Sequence, residues 1–199
     1  MTTMALSFVL DELSRTLLSD LSTQRRDALS PEEMECLEQH SITRPPASEE
    51  EVQAAERRLA VVLPEDFKQF LRTSNGVMLP EVAGHARWMS PVGEVRRVEQ
   101  CCPEVVTFWT EFGSGHDFSP LSAMPGAGNV MLDEQPDLQL LSKALVLVEP
   151  SGPGDGLFLT PFPRFGSDAW EVWLVDPHAG CTRFRRMIDM LEFQLTCLD

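Results

Sequence analysis

Apolar residues recur at helical spacing from the start of the chain. Val9, Leu10, Leu13, Leu17, Leu18 and Leu21 form one stripe, which predicts an amphipathic helix over about residues 4–21. A shorter helix is predicted to open at Ser30, a good N-cap, with Pro31 in the first helical position and Glu33 in the third, and to run to about His40. Arg44, Pro45 and Pro46 then make a stiff break, the best candidate boundary in the chain. Ser48 and Glu51 have capping-box spacing, and Val52, Ala55 and Leu59 supply the buried face of the next helix. Pro64 disfavours helical backbone in the residue before it, so this helix is expected to stop near Leu63. Pro64 in turn suits the start of a new helix, with Glu65 and Asp66 favourable at its positive end. Phe67, Phe70 and Leu71 give that helix its core face, and Asn75-Gly76 tolerates the left-handed geometry that ends helices.

Further on, the periods change. Residues 94–112 read as helical, with Val95, Val98, Val105, Phe108 and Trp109 inward and Pro103 as an interruption. Residues 113–129 are loop-like. Three strands are predicted over residues 144–149, 156–160 and 171–176, because short apolar runs there are separated by Gly-, Pro- and Asp-rich turns at 151–156 and 176–180. Close strands with such connections favour an antiparallel meander. A closing helix is predicted over about residues 182–198, with Phe184, Met187, Leu191, Leu195 and Leu198 on one side. Helices, then strands, then a helix give an α+β class.

Charge narrows the partners. Acidic residues number 31 against 16 basic ones, a formal net charge of −15. Phosphate binding depends on clustered Lys and Arg, so nucleic acid is excluded as a partner, and an anionic membrane for the same reason. The acid is unevenly spread. Between Arg97 and Arg164 stand Glu99, Glu104, Glu111, Asp117, Asp133, Glu134, Asp137, Glu149 and Asp155, against Lys143 alone. A segment so one-sided can present a negative surface that speeds capture of a basic partner. The longest apolar run, residues 144–148, is far short of the roughly 20 residues that span a bilayer. The patch 5–10 has no basic residue before it and is closed by Asp11 and Glu12, so no secretory signal is expected and the cytoplasm is the default. An odd set of five cysteines (Cys36, Cys101, Cys102, Cys181, Cys197) reads as reduced thiols.

Candidate chemistry is sparse. Cys36/His40 and His178/Cys181 have spacings that can bring two ligands together, but each pair is half a zinc site and the two lie far apart in sequence. Cys101-Cys102 would need a nearby His to serve as a nucleophile, and buried thiols are the simpler reading. His116-Asp117 lacks the further His ligands of a metal phosphohydrolase. Ser151 to Gly156 is glycine-rich without the Lys-Ser/Thr of a phosphate loop, and reads as a strand connection. Trp88, Trp109, Trp170 and Trp173 are assigned mainly to the core, with one or two as possible interface anchors. No acid–base or nucleophilic set converges, so no enzyme, metal or cofactor is expected.

The stretch 46–76 resembles the SUKH superfamily, the group built around the Smi/Knr-type domain. It carries an acidic amphipathic helix (Val52, Ala55, Glu56, Leu59), a Leu63-Pro64 corner, an aromatic helix (Phe67, Phe70, Leu71) and a closing Asn75-Gly76. The paired strands around a Gly/Asp turn, a strand carrying Trp173 and a closing helix entered through Phe184 follow in the same order. The resemblance implies an α+β SUKH-type fold over residues 46–199, with a central, mostly antiparallel sheet flanked by helices; residues 1–45 would be an N-terminal helical extension. It also implies a binding protein: bacterial members look like immunity proteins that block a toxin, often a nuclease, delivered by contact-dependent or type VI secretion. Eukaryotic members look like regulatory scaffolds. The family's matched residues build the fold, so no site is carried over from it. On charge, the partner-binding residues are expected to be Glu104, Glu111, Asp117, Asp133, Glu134 and Asp137, meeting Lys and Arg of a basic toxin domain.

Overall fold

The computed structural model describes residues 5–24, 29–82, 85–112, 130–133, 136–161 and 170–198. Four helices come first: α1 (Leu6–Thr23), α2 (Pro31–Gln39), α3 (Glu49–Leu59) and α4 (Glu65–Thr73). The predicted capping box at Ser48 forms, and the predicted N-cap Ser30 makes one as well. Ser30 and Glu33 close α2 and Ser48 and Glu51 close α3, each serine oxygen accepting from the third-residue N–H while the glutamate accepts from the serine N–H. The Leu63-Pro64 corner differs in detail from expectation. Helix α3 ends at Leu59, where Ala60 adopts left-handed backbone at φ 51°, four residues before the proline. The intervening segment is tied down from the side: Glu56 accepts from Leu63 N at 2.8 Å and pairs with Lys68 at 2.7 Å.

A two-stranded hairpin follows, β1 (Met78–Val82) and β2 (His85–Trp88). Then come β3 (Arg96–Arg97), α5 (Val98–Cys101), α6 (Pro103–Phe112), β4 (Val130–Asp133), α7 (Leu138–Leu141), β5 (Leu145–Val148), β6 (Gly156–Thr160), β7 (Glu171–Asp176), β8 (Gly180–Phe184) and α8 (Met187–Thr196). Six strands make one sheet in the order β3-β5-β6-β7-β8-β4, with every pair antiparallel. The three predicted strands are β5, β6 and β7. The predicted closing helix needs correction: its first residues are β8, a strand paired along β7, and helix begins only at Met187. Phe184 fits the helical stripe in sequence, yet its partner across the sheet is Val172.

Both sheet faces are covered, which explains why β5, β6 and β8 are buried at every position. One face presents Leu145, Leu147, Leu157, Leu159, Val172 and Phe184 to the main core. Helices α1, α3, α4 and α8 add Leu13, Val52, Phe67, Phe70 and Leu191 to it. The N-terminal leucine stripe is part of this core: Val9, Leu10, Leu13, Leu17 and Leu21 are all buried. The other face presents Val146, Phe158, Trp173, Val175 and Cys181 to a second, smaller core.

That second face also carries a buried ion pair. Glu171 and Arg183 have side chains 0% and 2% exposed. Arg183 Nε donates to Glu171 Oε2 at 2.8 Å, and Trp173 Nε1 donates to the same oxygen at 2.8 Å. The guanidinium also lies over the Trp173 ring, 5.2 Å from its centroid.

Asp66, in the first turn of α4, has one carboxylate oxygen buried without a hydrogen-bond partner. Burial pushes this carboxyl above its ordinary value of 3.8, against the pull of the Phe67 and Asp66 backbone N–H groups. A carboxyl whose folded pKa is raised costs stability above that pKa, where both states are ionised, and nothing below the unfolded value, where both are neutral. Asp66→Asn is therefore expected to raise the melting temperature at neutral pH. In melts at descending pH the gain should shrink as the folded pKa is crossed. A gain that stays constant or grows toward acid would contradict the assigned sign.

Candidate protein-binding surface

Helices α5, α6 and α7 form a layer on the sheet's second face. Val98, Cys102, Val105, Trp109 and Leu141 turn inward against Val146, Phe158, Trp173, Val175 and Cys181. The layer is anchored through the 151–156 turn. Trp109 Nε1 donates to Gly154 O at 2.9 Å. Phe108 lies so close to Gly154 that a Cβ there would sit 2.4 Å from its ring carbons, so any side chain at this position would displace the Phe108 ring from the turn. The turn itself is organised by Asp155, which accepts from Ser151 N at 2.9 Å, from Gly152 N at 2.7 Å and from the Ser151 hydroxyl.

With Trp109 and Val105 pinned inward, the opposite side of α6 faces out. Glu104 and Glu111 are exposed there, two helical turns and roughly 10 Å apart. Glu99 on α5 is also exposed and extends the acidic surface. Asp137 caps α7, its carboxylate accepting from Gln139 N at 3.1 Å and Leu140 N at 3.3 Å, and α7 packs beside α6. Asp133 ends β4, where its backbone partner is Cys181; β4 is an edge strand three places from β6, the strand on which α7 rests. Asp117 and Glu134 lie outside the described residues, as do His116 and the rest of the 113–129 stretch. The structure thus groups Glu104, Glu111 and Asp137 in one layer and sets Asp133 apart from them.

Of the other acids of the same run, Asp155 is 3% exposed and bound up in its turn, whereas Glu149 is exposed and pairs with Arg96 at the surface. Glu99 was legible as charge in the sequence. Only its exposure beside α6 brings it into the surface.

The remaining candidates resolve by burial. The Cys36 thiol is enclosed, its sulfur 3.6 Å from Met78 Sδ, and burial pushes its pKa up to about 11. His40, four residues on, is exposed. Cys181 is buried in the second core while His178 is exposed. Cys101 and Cys102 have sulfurs 3.7 Å apart, and burial raises the Cys102 thiol well above its ordinary range, so it stays protonated and unreactive at neutral pH. Among the described residues no group of three or more His, Cys, Asp or Glu is placed to hold a metal ion. Trp109 and Trp173 are core residues, and Trp88 and Trp170 are half-buried.

No helix among the described residues is long and apolar enough to cross a membrane. No curated protein matches the chain. The SMI1 / KNR4 family (SUKH-1) description matches residues 46–187, from the break before α3 to the first residue of α8. That match covers most of the chain, and it agrees with an antiparallel sheet flanked by helices. On these grounds the chain belongs to the SMI1/KNR4 (SUKH-1) family, a family of non-catalytic modules that act through protein–protein interaction.

Proposed function

We propose that this protein is an immunity protein, which binds a cognate secreted toxin in the cytoplasm and neutralises it by stoichiometric occlusion of its active cleft. The observation that carries the reading is the exposed acid on α5 and α6, Glu99, Glu104 and Glu111, on a chain of net charge −15. A nuclease toxin is basic where it meets phosphate, so an acidic inhibitor complements it and is steered to it. In this reading residues 46–199 are the binding domain and residues 1–45 an extension of it. Asp117, Asp133 and Glu134 belong to the same proposed recognition segment. A regulatory scaffold that joins partners without inhibiting one is the competing reading, and the family is compatible with both.

Placement of the acids decides which variants test this cleanly. Asp137→Lys would remove a helix cap, worth about 1 kcal/mol, as well as a charge. Glu104→Lys with Glu111→Lys changes exposed charge, which contributes little to stability. The double variant is expected to melt like the parent, to associate more slowly with a basic toxin domain encoded beside it, and to protect co-expressing cells less well. The difference in association should fade as salt is raised. Full protection together with salt-independent association would place the interface elsewhere. A parent protein that binds no neighbouring toxin would favour the scaffold.

A further inference from the structure

The N-terminus of α2, strand β2 and the end of β5 line a cleft of about 490 Å3. Arg44 and Trp88 form its back wall. The Arg44 guanidinium lies 4.5 Å from the centroid of the Trp88 ring. Its chain is held by a backbone bond from Arg44 N to Gly76 O, 3.0 Å, and its side chain runs across Gly76. A Cβ on Gly76 would stand 3.3 Å from Arg44 Cδ and 2.8 Å from Met89 O, and the residue has φ +122°. Glycine here leaves room for Arg44 to pass close by and reach the tryptophan.

This placement leaves a cation with unused capacity. Arg44 Nε is buried and has no hydrogen-bond partner. Among the described residues no carboxylate pairs with Arg44, whereas Arg72, Arg96, Arg183 and Arg186 each pair with one. A guanidinium held over an aromatic ring keeps in-plane N–H donors that can receive a planar anion. A buried donor left without an acceptor is costly, which marks Arg44 as the group of this cleft with capacity left for an anion.

The rest of the cleft narrows what that is. Glu32 and Glu94 line it, are exposed, and pair with no cation among the described residues. Arg87, the other cation of the lining, is engaged by Glu149 O at 2.9 Å and lies 3.8 Å from Asp155, so a doubly charged phosphate would have Arg44 alone to set against these acids, whereas a carboxylate carrying its own ammonium would satisfy both the cation and the rim. Trp88, Met89, Pro91 and Val148 supply apolar wall, and the volume lies in the range of small-molecule sites, roughly 300–1,000 Å3. We propose that this cleft binds a small apolar amino acid in its zwitterionic form, its carboxylate on Arg44, its ammonium toward Glu32 and Glu94, and its side chain along Trp88.

The test uses L-leucine, L-leucinamide and 4-methylpentanoate as probes on the full chain, read by the indole N–H resonance of Trp88, which Trp88→Phe identifies. Leucine is expected to shift that resonance saturably. Leucinamide, which lacks the carboxylate, and 4-methylpentanoate, which lacks the ammonium, should each bind at least about tenfold more weakly. Arg44→Lys keeps the charge but loses the planar fork, and should weaken leucine by at least about tenfold. Thermal melts of Arg44→Lys without ligand separate loss of the site from loss of the fold. No saturable shift with leucine means that water alone meets Arg44, and overturns the proposal. Equal binding of leucine and leucinamide overturns the role of Arg44, and equal binding of 4-methylpentanoate overturns the role of the acidic rim. Binding of leucine does not depend on any toxin, so this result and the immunity reading stand or fall separately.

Discussion

Arg183→Met is expected to destabilise the protein by about 3–5 kcal/mol, among the largest effects of any single substitution. The loss does not measure what the ion pair contributes. It arises because Glu171 is fully buried, with a side-chain exposure of 0%, and would have to remain charged in an apolar layer or take up a proton. Trp173 Nε1 would still donate to Glu171, but a neutral hydrogen bond replaces little of a guanidinium's charge. The informative companion is the double variant Glu171→Leu with Arg183→Met, in which neither charge of the pair is left. It should recover most of the lost stability, since replacing both partners by apolar groups is often neutral. Urea melts of the parent, the single and the double variants form the test. A single variant within about 1 kcal/mol of the parent would mean that water reaches Glu171 and that the pair is not closed off.

Phe67→Ala should cost about 3–5 kcal/mol and Leu63→Ala about 2–5 kcal/mol, through lost burial and the cavity left behind. Both residues are 2% exposed, on either side of the corner between α3 and α4. Phe67 also stacks on Phe70, ring centroids 6.0 Å apart and 14° from parallel, so its removal loosens a second large side chain. Leu63 sits where Glu56 already fixes the backbone, which limits how far the corner can collapse into the space. The cost at Leu63 should therefore lie toward the upper part of its range. If both variants denature with the parent, the corner is not packed as described.

Much of the α-helical architecture was legible because its signals are local. Ser30 with Glu33 and Ser48 with Glu51 cap within one turn, and the stripe from Val9 to Leu21 repeats within one helix, so neighbouring residues suffice to specify them. Strands β5, β6 and β7 were legible for a similar reason, being short apolar runs bounded by glycine, proline and aspartate. Strand β8 was hidden because Phe184, Met187 and Leu191 continue a helical spacing across its end. Only pairing with β7 and β4 makes the first part of that stretch extended. The hairpin β1-β2, strand β4 and the short helix α7 carried too little periodic signal to stand out, and their existence depends on partners distant in sequence.

Charge shows the same division. Amino-acid composition alone determined that this is an acidic protein with a one-sided central segment, because charge is a property of each residue wherever it lies. Which carboxylates are available to a partner was decided by tertiary structure. Glu104 and Glu111 face outward because Val105 and Trp109 on the same helix are drawn into the second core. Asp155 and Glu171, chemically alike, are consumed by backbone N–H groups and by a buried arginine. Arg44 meets Trp88 only because Gly76 leaves space between segments that lie far apart along the chain. Sequence patterns report what a residue can do next to its neighbours; long-range packing determines which groups are left with that capacity unspent, because burial and hydrogen-bond saturation belong to the folded whole.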